Sequence, residues 1–180
     1  MRYIALIAGL ALIMLVAGCT APSAPQTGTP MPATTVTTVQ ATAPAVSVVA
    51  GSTRLASAGG NATVPIVLAS APDGISGYNI TVALGDPSIA EITAVAFPDW
   101  AVMKSSSALP AGRVVIQAVD MSRQVPAGAT NVTLANLTVK GLTAGTTTIT
   151  VTPDRVLGVQ NRGGDLYAVT AIPGTLTVGS

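Results

Sequence analysis

Large apolar residues recur at every second position through most of this chain. In Tyr78-Asn79-Ile80-Thr81-Val82-Ala83-Leu84 the big side chains fall at 78, 80, 82 and 84, with small or polar residues between them. The same alternation runs through Val64, Ile66 and Leu68, through Val114 and Ile116, through Ile149 and Val151, and through Leu176 and Val178. A period of two places one face of a strand on a core and the other toward solvent, so each run predicts a half-buried β-strand. Turn-forming residues separate the runs: Pro72-Asp73-Gly74, Asp86-Pro87, Pro110-Ala111-Gly112, Pro126-Ala127-Gly128, Gly163-Gly164 and Pro173-Gly174. No segment carries sustained helical spacing with caps at both ends. Thr and Val fill the runs because β-branched side chains fit a pleated surface. Short strands at this spacing predict an all-β sandwich or jelly roll.

The start of the chain departs from this pattern. After Met1-Arg2, residues 3–17 form an unbroken apolar run that closes on Val16-Ala17-Gly18-Cys19. A basic start, a short apolar run and small residues before a cut site describe an export signal over residues 1–18. The run is shorter than the roughly 20 residues a membrane-spanning helix needs. The only cysteine of the protein follows the small residues. This arrangement resembles the lipobox of prokaryotic lipoproteins, which implies that the sulfur of Cys19 receives a diacylglyceryl group and becomes the new N-terminus. Such an anchor would hold the protein on the outer side of a membrane, since buried acyl chains contribute roughly 0.8 kcal/mol per CH₂. With Cys19 used in this way no disulfide remains, and the folded part must hold by packing alone.

Residues 19–45 are dominated by Thr, Pro, Ala, Ser and Gln, and no charged residue occurs between Arg2 and Arg54. Such a stretch cannot bury enough apolar surface to offset its ordering entropy, and its prolines favour extended polyproline II. It reads as a flexible linker. Residues 46–180 then form one domain of ordinary size. Setting Arg2 aside, seven basic residues face seven acidic ones. No basic patch points to nucleic acid.

The same composition argues against catalysis. Histidine is absent, which removes His-based acid–base chemistry and nucleophilic triads. Paired carboxylates could still hydrolyse glycosides. Yet Asp73 precedes Gly74, Asp86 precedes Pro87, Asp154 follows Pro153 and Asp165 follows two glycines, all positions where turns want an acid. No Asp-rich calcium loop or glycine-rich phosphate loop occurs, so no metal and no cofactor is expected.

Several segments, in order, resemble cohesin modules. Gly74-Ile75-Ser76-Gly77-Tyr78-Asn79-Ile80-Thr81-Val82, followed by Asp86-Pro87-Ser88-Ile89-Ala90-Glu91-Ile92, is similar to a cohesin strand running through an Asp-Pro turn into the next strand. Arg113-Val114-Val115-Ile116-Gln117-Ala118-Val119-Asp120 resembles the middle cohesin strand. Leu134 to Lys140 with Ala144-Gly145-Thr146-Thr147, and Gly174 to Val178, resemble the later strands. The resemblance implies an antiparallel jelly-roll β-sandwich of about nine strands. It also implies a non-catalytic adaptor that binds a dockerin, a small module carrying its own calcium on a polysaccharide-degrading protein. On the resemblance, the partner contacts are Asn79 and Thr81, outward-facing if Tyr78 and Ile80 point inward, and Asp120 at the end of the middle strand.

Four Asn-X-Thr sequons, at Asn61, Asn79, Asn131 and Asn136, are candidate N-glycosylation sites, and a glycan on Asn79 would cover the docking face. Two other functions stay open. A carbohydrate-binding module would take a polysaccharide as partner, but its rings stack on aromatic side chains. The mature chain offers only Tyr78, Phe97, Trp100 and Tyr167, and Trp100 reads as a core plug or loop anchor. The other alternative is a structural spacer of the cell envelope with no dockerin partner.

Overall fold

A computed structural model describes residues 45–159 and 166–180. The expected export signal, Cys19 and the expected linker as far as residue 44 lie outside the described residues, as do Gly163-Gly164 and Asp165. The described residues fold as two β-sheets. In chain order the strands are β1 (Ala45–Ala50), β2 (Thr53–Leu55), β3 (Asn61–Ala71), β4 (Gly77–Leu84), β5 (Ala90–Ala96), β6 (Met103–Ser106), β7 (Arg113–Val119), β8 (Ala129–Gly141), β9 (Gly145–Leu157), β10 (Ala168–Ile172) and β11 (Gly174–Val178). One sheet has the order β10-β1-β3-β8-β5, the other β2-β11-β9-β4-β7-β6.

The strand count is eleven among the described residues rather than about nine, and the reason lies at the two ends of the domain. The first run breaks at Gly51-Ser52 and the last at Pro173, and at each break the chain crosses from one sheet to the other. β1 and β10 pair in parallel in the five-stranded sheet, and β2 and β11 pair in parallel in the six-stranded one. All other neighbours are antiparallel. The two crossings pass against each other. A Cβ on Gly174 would collide with the Gly51 carbonyl oxygen, so glycine is what permits the approach.

The inner faces carry the alternating residues. Val48, Val64, Ile66, Leu68, Ile92 and Leu137 from one sheet meet Ile80, Val82, Ile116, Ile149 and Leu176 from the other, all fully buried. Burial of each such side chain contributes roughly 1.5–3 kcal/mol, which is how the domain holds without a disulfide. Among the described residues three β-bulges interrupt the period of two, each placing one extra residue in a strand. Leu134 is extra in β8, Thr93 in β5 and Asp154 in β9. At the β8 bulge both Leu134 and Ala135 turn inward. There the Tyr78 hydroxyl reaches across the sandwich and donates to the Leu134 carbonyl. Trp100 Nε1–H donates to the neighbouring Thr133 carbonyl at 3.2 Å. The two rings meet edge to face, with centroids 5.9 Å apart. Trp100 thus plugs the core beside the bulge, and burial pushes the Tyr78 phenol well above its ordinary range.

Loops at one end of the sandwich are tied to each other. Tyr167, buried, donates its hydroxyl to the Gly74 carbonyl at 2.7 Å and accepts from the Asp73 N–H at 2.9 Å. Burial raises its phenol as well.

Candidate functional site

The outer face of the six-stranded sheet holds a cleft of about 730 Å³, floored by β9, β4, β7 and β6. Strand pairing arranges its side chains in rows that run across the strands. The first row is Met103, Val119, Gly77 and Leu157, each the direct partner of the next. It is apolar with a gap at its centre. The second row is Ser105, Gln117, Asn79 and Arg155, and it is polar throughout. A third row follows with Val115, Thr81 and Thr152. Rows on one face of a strand lie about 6.7 Å apart, and four strands span about 14 Å.

Two local features shape this floor. Gly77 has no side chain because none fits: a Cβ there would stand 2.8 Å from the Ala118 carbonyl oxygen. The β9 bulge shifts the parity of that strand, so that Asp154 and Arg155 are both exposed while Val156 turns into the core. Asp154 therefore sits within a strand, not in a turn as its neighbour Pro153 had suggested. Its Oδ2 accepts a hydrogen bond from the Thr81 hydroxyl at 3.0 Å.

The sequence-derived contact residues take three different positions. Asn79 lies in the cleft, and its side-chain oxygen is buried at the floor with no donor. Thr81 faces the same way but is only 5% exposed, and its hydroxyl is engaged by Asp154. Asp120, also 5% exposed, turns away into the loop after β7. Its two carboxylate oxygens accept the N–H groups of Ser122 and Val125, at 3.0 and 2.9 Å, so it holds the loop in shape. Sequence reasoning missed Met103, Gln117, Val119, Arg155 and Leu157. Gln117 and Val119 could have been found, since they are the outward positions of the alternation in β7. Met103 lies on β6, an edge strand exposed at all four residues and without any alternation to reveal it.

The sequons divide between the sheets. Asn61 opens β3 and is exposed, Asn131 is exposed near the start of β8 with a left-handed φ of 51°, and Asn136 is half-buried within β8. All three belong to the five-stranded sheet, and Asn79 alone lies in the cleft. Of the aromatic residues that could stack a sugar, Tyr167 is buried, as is Tyr78, while Phe97 and Trp100 are half-buried and pack against the core. Among the described residues no cluster of potential metal ligands occurs.

At the level of sequence, no family model and no curated protein matches the chain. Solved structures do match, and they define the class of fold. The seventh ScaB type I cohesin of Pseudobacteroides cellulosolvens superposes with a TM-score of 0.60 at 20% identity, covering 75% of this chain and 92% of that one. A non-cellulosomal cohesin from the archaeon Archaeoglobus fulgidus gives 0.58 at 16% identity, covering 75% and 91%. A type I cohesin–dockerin complex of Clostridium thermocellum, Coh-OlpA-Doc918, gives 0.60 at 12% identity, covering 74% and 99%. The fold is that of a cohesin-like β-sandwich.

Proposed function

We propose that this protein is a non-catalytic adaptor that binds a dockerin-type module through the cleft on its six-stranded sheet. The observation that supports this reading best is the combination of fold and face. The chain shares its sandwich with cohesins, one of them in complex with a dockerin, and it presents an open cleft lined by side chains on a single sheet. Recognition here runs through side chains, because β4 and β7 lie between neighbours that use their backbone groups. Phe97, Trp100 and Tyr167 do not line this cleft and the Tyr78 ring is buried beneath it, which speaks against stacking of a sugar ring there. Cys19 would carry the lipid and residues 19–45 the spacer, placing the domain outside the membrane with its partner.

The test is capture of purified dockerin modules encoded in the source genome by the full chain, with and without a calcium chelator. The reading expects one dockerin to bind, to be released on chelation because the partner holds the calcium, and to bind poorly to Asn79→Arg. A folded chain that binds no dockerin would return the choice to the envelope spacer. For the anchor, an alkyne-tagged fatty acid should label the wild-type protein in its host and not Cys19→Ser.

A further inference from the structure

Asn-X-Thr triplets are more frequent here than composition explains. About one residue in five is serine or threonine, so chance would set a hydroxyl two residues after one of the five asparagines. Four of the five have one there, in every case a threonine, with a residue other than proline between. The fold then sorts the four. Asn61 and Asn131 are exposed and each stands near a turn: Asn61 opens β3 just after Gly59-Gly60, and Asn131 follows Pro126-Ala127-Gly128 with its left-handed φ. Asn136 lies five residues beyond Asn131, an odd number that would put the two on opposite faces of a regular strand. The extra residue at Leu134 restores the parity, because Leu134 and Ala135 both turn into the core. Asn131 and Asn136 therefore share the outer face of the five-stranded sheet. Asn61 shares it too, with the exposed Thr63 and Pro65 of β3.

The neighbours on this face are small. Asn136 lies between Pro65 and Ala96, both exposed, and Thr138 between Thr63 and Ala94. Four ladder positions separate Asn136 from Asn131, and four more lead the other way to Lys140, the partner of Asn61. Each interval is about 14 Å, so the three amides are well apart. Asn79 differs on every count. Its side-chain oxygen is buried in the floor of the cleft on the other sheet, and the hydroxyl of its Thr81 is engaged by Asp154 at 3.0 Å.

We propose that Asn61, Asn131 and Asn136 carry N-linked glycans, that Asn79 carries none, and that the sugar covers the five-stranded sheet while the cleft stays clear. The donor is an oligosaccharide on a polyprenyl phosphate or pyrophosphate. The asparagine amide nitrogen forms a bond to the anomeric carbon as that carbon's bond to the phosphate oxygen breaks. The lipid phosphate leaves with the electron pair, and the amide proton passes to a base of the host's transferase. The inference rests on the export of the chain read from residues 1–18, and not on the identity of the cleft's partner.

The experiment is glycopeptide mass spectrometry on the full chain purified from its own host. Asn61 and Asn79 share one tryptic peptide, and Asn131 and Asn136 another, so electron-transfer fragmentation is needed to assign each site. Sugar on Asn61, Asn131 and Asn136 with Asn79 bare is the expected result. Asn61→Asp and Asn131→Asp should each lower the intact mass by one glycan, and Asp tolerates the left-handed φ at 131, so the fold is kept. Any one of the three found bare loses its assignment. All three bare on a chain cleaved before Cys19, or a glycan on Asn79, overturns the proposal. All three bare on a chain that retains residues 1–18 overturns the export reading, and the glycosylated face with it.

Discussion

Replacing Tyr78 by phenylalanine removes one oxygen atom and leaves the rest of a buried ring in place. The hydroxyl donates to the carbonyl of Leu134, the extra residue of the β8 bulge, in a fully buried position. With the donor gone, that acceptor is stranded where water cannot replace it, a cost of about 1–3 kcal/mol. For a domain of this size the loss corresponds to a fall in Tm of roughly 3–15 °C. A second signature separates this hydrogen bond from a general packing defect. In the unfolded chain the phenol ionises near 10, whereas burial holds the folded-state value higher. The folded protein therefore keeps a proton that the unfolded chain releases. The associated stability is fully present below pH 10 and is lost as the pH rises above it, by up to about 1.4 kcal/mol per pH unit. Tyr78→Phe lacks that group. It should be less stable than wild type at pH 7, and the gap should narrow above pH 10. Tyr167, also raised by burial, remains in both proteins and adds the same alkaline decline to each. Urea denaturation from pH 7 to 11 at fixed salt measures both effects. A variant within 0.5 kcal/mol (roughly the resolution of such a series) of wild type at pH 7, or a gap that stays constant above pH 10, would refute the reasoning.

Three further outcomes follow from the same structure. Asp120→Ala leaves the N–H groups of Ser122 and Val125 without their acceptor and should cost about 2–4 kcal/mol in urea denaturation, with Asp120→Asn losing less; an unchanged midpoint would show that the loop holds without it. Gly174→Ala forces a Cβ against the Gly51 carbonyl and should destabilise by about 1–3 kcal/mol, measurable as a lower thermal midpoint; a neutral result would mean that the sheet crossing can open without cost. Met103 and Met121 are exposed, and they are the only methionines after residue 31, so mild peroxide should convert both to sulfoxides. Dockerin binding should then fall by about threefold or more and recover after methionine sulfoxide reductase, whereas unaltered binding would remove Met103 from the interface.

Much of the fold was legible because alternation is a local property. Whether Ile80, Val82 and Leu84 share a face depends only on their own strand, and those residues are buried as the period requires. The proline and glycine turns were legible for the same reason, since each forms from adjacent residues. The site was legible in one strand only. Asn79 could be placed in it from β4 alone, but Thr81 is covered by Asp154, a residue 73 positions away whose side chain reaches that face through a bulge. Asp120 looked like the outward end of a strand, and the backbone of the following loop drew its carboxylate in.

The sequence by itself determined the period-two strands, the turns between them, the absence of histidine, the single cysteine, and the break in composition after the first 45 residues. Those are short-range facts, set by the preferences of neighbouring residues. The tertiary structure alone decided that the first and last runs each split and cross between sheets, giving eleven strands among the described residues. It alone decided which residues share a row across β6, β7, β4 and β9, so that Met103, Val119, Gly77 and Leu157 meet although they come from distant segments. Register and bulges arise from the pairing of strands far apart in the chain, and a pattern read along one strand contains no information about its neighbour.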